Sequence, residues 1–330
     1  MRFAADENNT KITGRTIYRD GVRYLGYTGS SVSFRFKAKT AKVELVSDAS
    51  THEKRDYAWV AVFVKEEKDN EISYGAAADE EPYKRFCLDK DEAEYVLYES
   101  DEEKTVTVTL IKYSEAEYAA CGIKWIETDS EEILTPPAAK KLKIEMVGDS
   151  ITCGYGNEGG VEETQHDTSN ENPMAAYSLL PPTHLDADVN VVAWNGKGVI
   201  TAYIGEDAPK VKDADWLVPM LYEYTDAGCE RDYLHTPEDK WEKWDNSNFI
   251  PDIITVYLGT NDASYTDNDA ARNEEFVNGY TKFLGTIRSK NPEIPILCML
   301  GTMDKRLCGS VERAVELFNS KNNTDNVYYL

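Results

Sequence analysis

The pattern of apolar and polar residues changes part-way along the chain, which indicates two domains of different architecture. In the first part, short segments alternate apolar and polar residues, as in Ser31–Ala38, where Val32, Phe34 and Phe36 fall on one face. The same alternation returns in segments 42–47, 58–65 and 105–113. Because no stretch of helical periodicity interrupts them, we expect residues 1–135 to form an antiparallel β-sandwich of jelly-roll type.

The second part of the chain alternates strands with helices. Residues 136–142, which begin with two prolines, predict a linker. Apolar strand segments then occur at Leu142–Val147, Val189–Trp194, Asp252–Leu258, Pro295–Leu300 and Val327–Leu330. Apolar residues at helical spacing cover Asp269–Ser289 and recur around Val311–Phe318. For residues 143–330 this alternation predicts an α/β domain with a doubly wound parallel sheet covered on both faces.

The last of these strands, Val327–Leu330, is not followed by a helix. A central or near-central parallel strand without a covering helix would expose an apolar stripe to water. We therefore expect the α/β domain to lack its C-terminal segment in this sequence.

The net charge of the chain argues against two classes of partner. The 330 residues carry 36 Lys and Arg against 60 Asp and Glu, a formal charge of −24. Such a surface repels phosphate groups, so we expect neither nucleic acid nor an anionic membrane as a partner. The longest apolar run, Ala58–Val64, is far shorter than the roughly 20 residues that cross a membrane. No apolar stretch follows the basic residue of the N-terminus, which predicts a cytoplasmic protein, or a secreted one whose signal has been removed.

Three polar or glycine-rich turns follow strands of the predicted parallel sheet. They contain Ser150, Gly196 and Asn261, and the carboxyl ends of parallel strands converge on one crevice. A serine on such a turn can act as a nucleophile, and its own N–H, a glycine N–H and an asparagine amide can together stabilise an oxyanion. Gly198 competes with Gly196 for the glycine position. Taken singly, each turn is better explained as a helix cap or a loop former, whereas the three together favour acyl transfer.

These segments resemble a known enzyme family. The blocks are Ile144–Gly156 (IEMVGDSITCGYG), Trp194–Val199 (WNGKGV) and Gly259–Asp262 (GTND), with Thr105–Ala116 (TVTVTLIKYSEA) in the first domain. They are similar to the SGNH or GDSL-type esterase superfamily and, within it, to carbohydrate esterase family 2. The resemblance implies a jelly-roll sandwich followed by an SGNH-hydrolase α/β domain, which is the order that the residue patterns predict.

The resemblance also implies a function. It points to an acetylxylan esterase-type enzyme that removes acetyl groups from acetylated plant cell-wall oligosaccharides or polysaccharides, above all xylan and xylo-oligosaccharides. Ser150 would be the nucleophile, and Ser150, Gly196 and Asn261 would form the oxyanion hole. No metal and no organic cofactor is implied, and assembly into a homo-oligomer stays open.

The sequence departs from the family pattern in two places. Asn195 stands where the family has a serine before the glycine, a small change because the donor wanted there is a backbone N–H. The family's catalytic histidine lies in a D-x-x-H block after the fifth strand, and this sequence has no histidine after His235. We therefore expect the general base beyond Leu330. His166 and His235 lie on loops that could approach the crevice and are weaker candidates for the base.

An aromatic-rich insertion, Tyr222–Trp244, carries Trp241 and Trp244 among many charged residues. Flat aromatic rings near a strand-end crevice can form a platform on which sugars stack, so both tryptophans are candidate substrate-binding residues. The alternative interpretation is that they pin the loop to the surface of the domain.

Two other functions stay open. The chain could be a different SGNH acyl hydrolase, thioesterase or lipase-like, which a series of acyl esters of increasing length would separate. It could also be a carbohydrate-binding protein without catalysis, an interpretation that the missing histidine supports.

Overall fold

The computed structural model describes residues 1–68, 71–160 and 165–330, and it contains two β-sheets. The antiparallel sheet consists of β1 (Arg2–Phe3), β2 (Lys11–Thr13), β3 (Thr16–Arg19), β4 (Val22–Leu25), β5 (Ser31–Val46), β6 (Trp59–Glu66), β7 (Lys84–Cys87), β8 (Glu92–Lys112) and β9 (Gly122–Thr128). The parallel sheet consists of β10 (Leu142–Gly148), β11 (Ala187–Ala193), β12 (Ile253–Tyr257), β13 (Ile296–Met299) and β14 (Val327–Tyr329). The α-helices of these ranges are α1 (Ser150–Cys153), α2 (Leu180–His184), α3 (Val218–Leu221), α4 (Ala263–Thr266), α5 (Ala270–Lys290) and α6 (Cys308–Asn322).

The antiparallel sheet is built around two long strands, β5 and β8, which pair along almost their whole length. Their register shifts twice near Ala38–Lys42, so the ladder bends there. On β5 the core-facing side chains change parity across this bend: Val32, Phe34 and Phe36 before it, and Ala41, Val43 and Leu45 after it. Both halves of the strand therefore face one core, and the sheet folds over that core as a sandwich.

The predicted sandwich is confirmed, but its strands are longer than the sequence pattern predicts. Segments 31–38 and 42–47 belong to one strand, and segment 105–113 covers only the second half of β8. The bend resets the alternation of apolar and polar residues, which makes one bent strand look like two in the sequence.

The parallel sheet has the strand order β11-β10-β12-β13-β14. On one face α5 and α6 pack against the sheet, and on the other α1, α2 and the sandwich cover β10 and β11, so the predicted cover on both faces is present at these two strands. Helix α5 begins one residue later than predicted because Asp269 caps it, accepting a hydrogen bond from the N–H of Arg272. The strand β14 lies at the edge of the sheet rather than near its centre, with Val327 buried and Tyr328 half exposed.

Buried polar contacts join the sandwich to the α/β domain. Arg15, which precedes β3, is fully buried, and its guanidinium donates to the carbonyl oxygens of Tyr222 and Tyr224. It also lies 3.3 Å from the carboxylate of Glu145 on β10. Within the described ranges, no helix is both long enough and apolar enough to span a lipid bilayer.

Candidate active site

Three strands of the parallel sheet end level with one another. Gly148, the last residue of β10, lies opposite Ala193 of β11 and Tyr257 of β12. The turns after these strands therefore emerge at the same edge of the sheet, where open α/β sheets bind ligands. The turns carry Ser150, Gly196–Gly198 and Asn261.

Ser150 is the first residue of α1, a helix of four residues. Asp149 caps this helix, since its carboxylate accepts a 3.1 Å hydrogen bond from the N–H of Ile151. Gly154 ends the helix in the left-handed conformation, with a φ of 79°. The side chain of Ser150 is half-buried and lines an open crevice. The N–H groups of a first helical turn have no acceptor within the helix, so the N–H of Ser150 is free to bind a ligand.

Asn261 is buried and connects the three turns. Its side-chain Nδ2 donates to the carbonyl oxygen of Lys197 at 3.0 Å and lies 3.4 Å from Oδ2 of Asp149. Asn261 also lines the same crevice as Ser150. The structure thus brings together two of the residues that the sequence analysis singled out, while their catalytic roles stay predictions.

The two glycines of the second turn are required for different reasons. Gly196 has a φ of 70°, which glycine adopts readily, and a Cβ added there would meet no atom within 4 Å. At Gly198 an added Cβ would lie 2.4 Å from Oδ2 of Asp262. Gly198 is therefore a packing requirement, whereas the space beside the Cα of Gly196 is open. The choice of Gly196 as the oxyanion donor stays a prediction.

Asp262 holds the chain that follows this turn. Its fully buried carboxylate accepts hydrogen bonds of 2.8 to 3.2 Å from the N–H groups of Val199, Ile200 and Thr201. Burial raises the pKa of Asp262 to about 6, against the opposing effect of these N–H groups. The sequence analysis missed this role, although Asp262 lies inside the GTND block.

Asp149 is the second buried carboxyl at this edge of the sheet. Burial raises its pKa to about 7, the N–H of Ile151 opposes the rise, and the nearby carboxyl of Asp262 adds to it. Neither carboxyl lines the crevice, so both act on its geometry rather than on a ligand.

The crevice itself is open and polar. The space within it, which is continuous with solvent, is about 1050 Å³. Besides Ser150 and Asn261, its walls include Tyr203, Glu206, Lys210, Met303, Asp304 and Arg306. Side chains of both charges line the crevice, which suits a hydrophilic ligand.

None of the four histidines forms a hydrogen bond with Ser150 in the part of the chain that the structure describes. His52 contacts Asp48 in the sandwich and His184 lies near Asp79, both away from the crevice. His235 is exposed, and His166 is stacked between the rings of Tyr118 and Tyr155, with its Nε2 3.2 Å from Oε1 of Glu171. The general base expected beyond Leu330 stays a prediction.

The structure contradicts the sugar-stacking interpretation of Trp241 and Trp244. Both side chains are more than nine-tenths buried. The indole N–H of Trp241 donates to the carbonyl oxygen of Thr236, and its ring packs against Trp216. The ring of Trp244 is covered by the guanidinium of Arg15. Both rings therefore pin the loop in place, which is the alternative interpretation, and neither is accessible to a sugar.

The sequence models of two protein families match the chain. The model described as "GDSL-like Lipase/Acylhydrolase family" matches residues 146–323, and the model described as "Carbohydrate esterase 2 N-terminal" matches residues 12–137. The two matches fall on the α/β domain and on the sandwich, and they confirm the resemblance drawn from the sequence blocks.

Curated proteins and a solved structure are also similar to this chain. "Cellulase/esterase CelE" of Acetivibrio thermocellus is 28% identical over 230 residues, which are 70% of this chain and 26% of that protein. This chain therefore spans about a quarter of the length of CelE. "Acetylxylan esterase / glucomannan deacetylase" of Cellvibrio japonicus is 26% identical over 304 residues, 91% of this chain and 74% of that protein. The structure of a family two carbohydrate esterase from Cellvibrio japonicus has a TM-score of 0.80 at 21% identity, covering 100% of this chain and 87% of that one.

Proposed function

This chain belongs to the GDSL-like lipase/acylhydrolase family, and on that premise we propose that it is a serine esterase that removes acetyl groups from carbohydrates. Acetylated xylan and xylo-oligosaccharides are the proposed substrate class. The observation that carries the proposal is that Ser150 and Asn261 line one open polar crevice, with the amide of Asn261 bridging the turns of the other two candidate residues. The similarity to the acetylxylan esterase / glucomannan deacetylase of Cellvibrio japonicus supports the choice of substrate.

In the proposed reaction Oγ of Ser150 attacks the carbonyl carbon of the acetyl group. The electron pair of the carbonyl moves onto its oxygen, which is stabilised by the N–H groups of Ser150 and Gly196 and by Nδ2 of Asn261. The bond to the sugar oxygen then breaks, and that oxygen takes up the proton released by Ser150. Water attacks the acetyl-serine, acetate leaves, and Ser150 regains its proton.

The geometry of the turns supports this reaction before any substrate binds. Asp262 fixes the chain after Gly198, and Asn261 holds the carbonyl of Lys197. Donors that are held in place before the reaction stabilise an oxyanion without further reorganisation, and this is a large part of enzymatic rate enhancement.

The proposed function is tested by acetate release from acetylated xylo-oligosaccharides, with Ser150→Ala as the control. We expect release from the full protein that contains these residues together with its general base, and none above background from its Ser150→Ala variant. Release that persists in Ser150→Ala would contradict the proposal.

A second assay uses p-nitrophenyl esters of increasing acyl length. A rate that grows with acyl length would favour a lipase-like enzyme instead.

The identity of the base is tested separately by replacing His52, His166, His184 and His235 singly with Ala. Ser150-dependent acetate release that survives all four replacements would support a base outside residues 1–330. Loss of release with one replacement and a retained fold would assign the base to that histidine.

A further inference from the structure

The loop between β8 and β9 of the sandwich reaches the candidate active site. Glu115 on this loop is fully buried, and its Oε2 accepts a 2.7 Å hydrogen bond from the N–H of Asn195. Asn195 immediately precedes Gly196, the proposed oxyanion donor. The sandwich therefore holds the backbone of the second turn directly.

A second buried carboxyl supports Glu115. The N–H of Glu115 donates to Oε2 of Glu171 at 2.8 Å, and the two side-chain carboxyls lie within hydrogen-bond reach of each other. Nζ of the buried Lys112 donates to the carbonyl oxygen of Glu115 at 2.8 Å. Glu171 and Lys112 thus hold the loop, in addition to its contact with Asn195.

Two carboxyls in contact inside a protein cannot both carry a charge at low cost. Burial and the neighbouring carboxyls of Glu171 and Glu117 raise the pKa of Glu115 well above its usual range. Oε1 of Glu115 forms no hydrogen bond among the described residues, and Oε1 of Glu171 lies 3.2 Å from Nε2 of His166. A proton shared between the two carboxyls accounts for the raised pKa of Glu115 and for its unpaired Oε1, and it leaves Oε2 of Glu115 free to accept from Asn195.

We propose that Glu115 is a positioning residue that, together with Asp262, clamps the turn Asn195–Gly198 at its two ends. Glu115 holds the entry to the turn through Asn195, and Asp262 holds its exit through Val199. Between these points Gly196 has no side chain, and its carbonyl oxygen accepts a 2.7 Å hydrogen bond from the N–H of Tyr203. This inference rests on the proposed function, since the clamp sets the position of the proposed oxyanion donor. It also assigns the sandwich a role in the site.

The test compares Glu115→Gln with Glu115→Ala. Glutamine keeps an oxygen for the N–H of Asn195 and replaces the shared proton with an amide donor, so we expect kcat for acetate release within about threefold of the unchanged protein. Alanine removes the acceptor, and a displaced oxyanion donor costs about 10- to 100-fold in kcat, with KM little changed. Equal losses in both variants, or an unchanged kcat in Glu115→Ala, would overturn the proposal.

Hydrogen exchange of the peptide covering residues 194–199 provides a readout that does not depend on activity. We expect exchange about tenfold faster in Glu115→Ala and unchanged in Glu115→Gln, because the amide of Asn195 loses its acceptor only in the first. Unchanged exchange in Glu115→Ala would overturn the proposal.

If the unchanged protein shows no Ser150-dependent acetate release, the proposed function fails, and the exchange result still decides whether Glu115 positions the turn. Should Glu115→Ala not fold, Glu115→Asp shortens the side chain by one carbon and takes its place.

Asp188 offers a matched control on the same strand as the turn. It is a buried carboxyl at the other end of β11, and it accepts a 2.7 Å hydrogen bond from the hydroxyl of Tyr74 in the first domain. We expect Asp188→Asn to lower stability while leaving kcat and the exchange of residues 194–199 unchanged. If Asp188→Asn changed kcat and the exchange of residues 194–199 as much as Glu115→Ala does, any damage to the domain interface would disturb the turn. That result would overturn the specific role of Glu115.

Discussion

Two clusters of buried polar side chains lie on the parallel sheet, and they are satisfied in different ways. The first lies midway along the strands, where the guanidinium of Arg15 meets the carboxylate of Glu145. Glu145 also accepts hydrogen bonds from Nδ2 of Asn190 at 2.8 Å and from the hydroxyl of Tyr222 at 2.7 Å. This cluster contains a buried cation and a buried anion, and it joins the sandwich to the sheet.

The second cluster lies at the carboxyl ends of the strands and consists of Asp149, Asn261 and Asp262. In the described part of the chain, the hydrogen bonds to its two carboxyls come from backbone N–H groups and from the amide of Asn261. Without a cation to neutralise them, both carboxyls have a raised pKa.

The difference between the clusters separates stability from function. A buried ion pair fixes two domains to each other, and removing one partner leaves an unpaired buried charge. Carboxyls bound to backbone N–H groups instead fix the path of the turns at the candidate active site. Substitutions in the first cluster should therefore change mainly the free energy of unfolding. Substitutions in the second cluster should change the rate of the reaction or the way in which stability depends on pH.

The largest effect is expected at Arg15. Arg15→Ala leaves the Glu145 carboxylate buried without its cation and should lower the free energy of unfolding by about 3–5 kcal/mol. We expect kcat/KM for an aryl acetate to stay unchanged at a temperature where the variant is folded. Urea denaturation measures the free energy of unfolding. The control is Arg2→Ala, which breaks an exposed ion pair with Glu127 and should cost about 1 kcal/mol or less. Similar losses in the two variants would contradict the comparison.

A slightly smaller effect, on activity rather than stability, is expected at Asn261. Asn261→Ala removes the side-chain donor of the proposed oxyanion hole and should cost about 3 kcal/mol of transition-state stabilisation, a loss of about 100-fold in kcat/KM. The matched variant is Asn190→Ala, which removes a buried amide from the first cluster and should lower stability without changing kcat/KM. Steady-state kinetics and thermal unfolding of both variants test this. Equal losses of kcat/KM in Asn261→Ala and Asn190→Ala would contradict the distinction between the clusters.

The smallest effect is a change in pH dependence at Asp149. Its pKa of about 7 in the folded protein lies above the ordinary value of 3.8, so the folded state holds a proton that the unfolded chain releases. The stability from this proton is fully present below about pH 4 and is lost as the pH rises towards 7. Asp149→Asn should make this decline shallower by up to about 1.4 kcal/mol per pH unit.

Urea denaturation between pH 4 and 8 measures this slope for Asp149→Asn. The control is Asp186→Asn, because that carboxyl is 86% exposed and its loss should leave the slope unchanged. An Asp149→Asn slope equal to that of the unchanged protein would show that Asp149 is already ionised at pH 5.

The sequence predicts the order of the two domains and the three turns of the candidate site because both follow from local pattern. Alternation and helical spacing are short-range properties, and helix α5 is predicted to within one residue at each end. The continuity of β5 is not predictable in this way, since its bend interrupts the local pattern while the pairing with β8 continues.

Local sequence pattern also does not predict the contacts of Glu115 and Asp262 or the burial of Trp241, for a related reason. Glu115 contacts Asn195 across the domain interface, and no motif links residues so far apart in the chain. Aromatic residues in a charged loop fit a sugar platform and a buried anchor equally well. Only the packing of that loop against Trp216 and Arg15 decides between them.

The long pairing of β5 with β8 also affects the order in which the chain acquires structure. Val46 pairs with Glu92, and Ser31 pairs with Ile111, so the ladder closes only after the intervening segment has been synthesised. Such high contact order slows folding and leaves the edge of β5 exposed on the nascent chain. The loop bearing Glu115 follows β8, so the α/β domain acquires the contact between Glu115 and Asn195 only once the sandwich has closed.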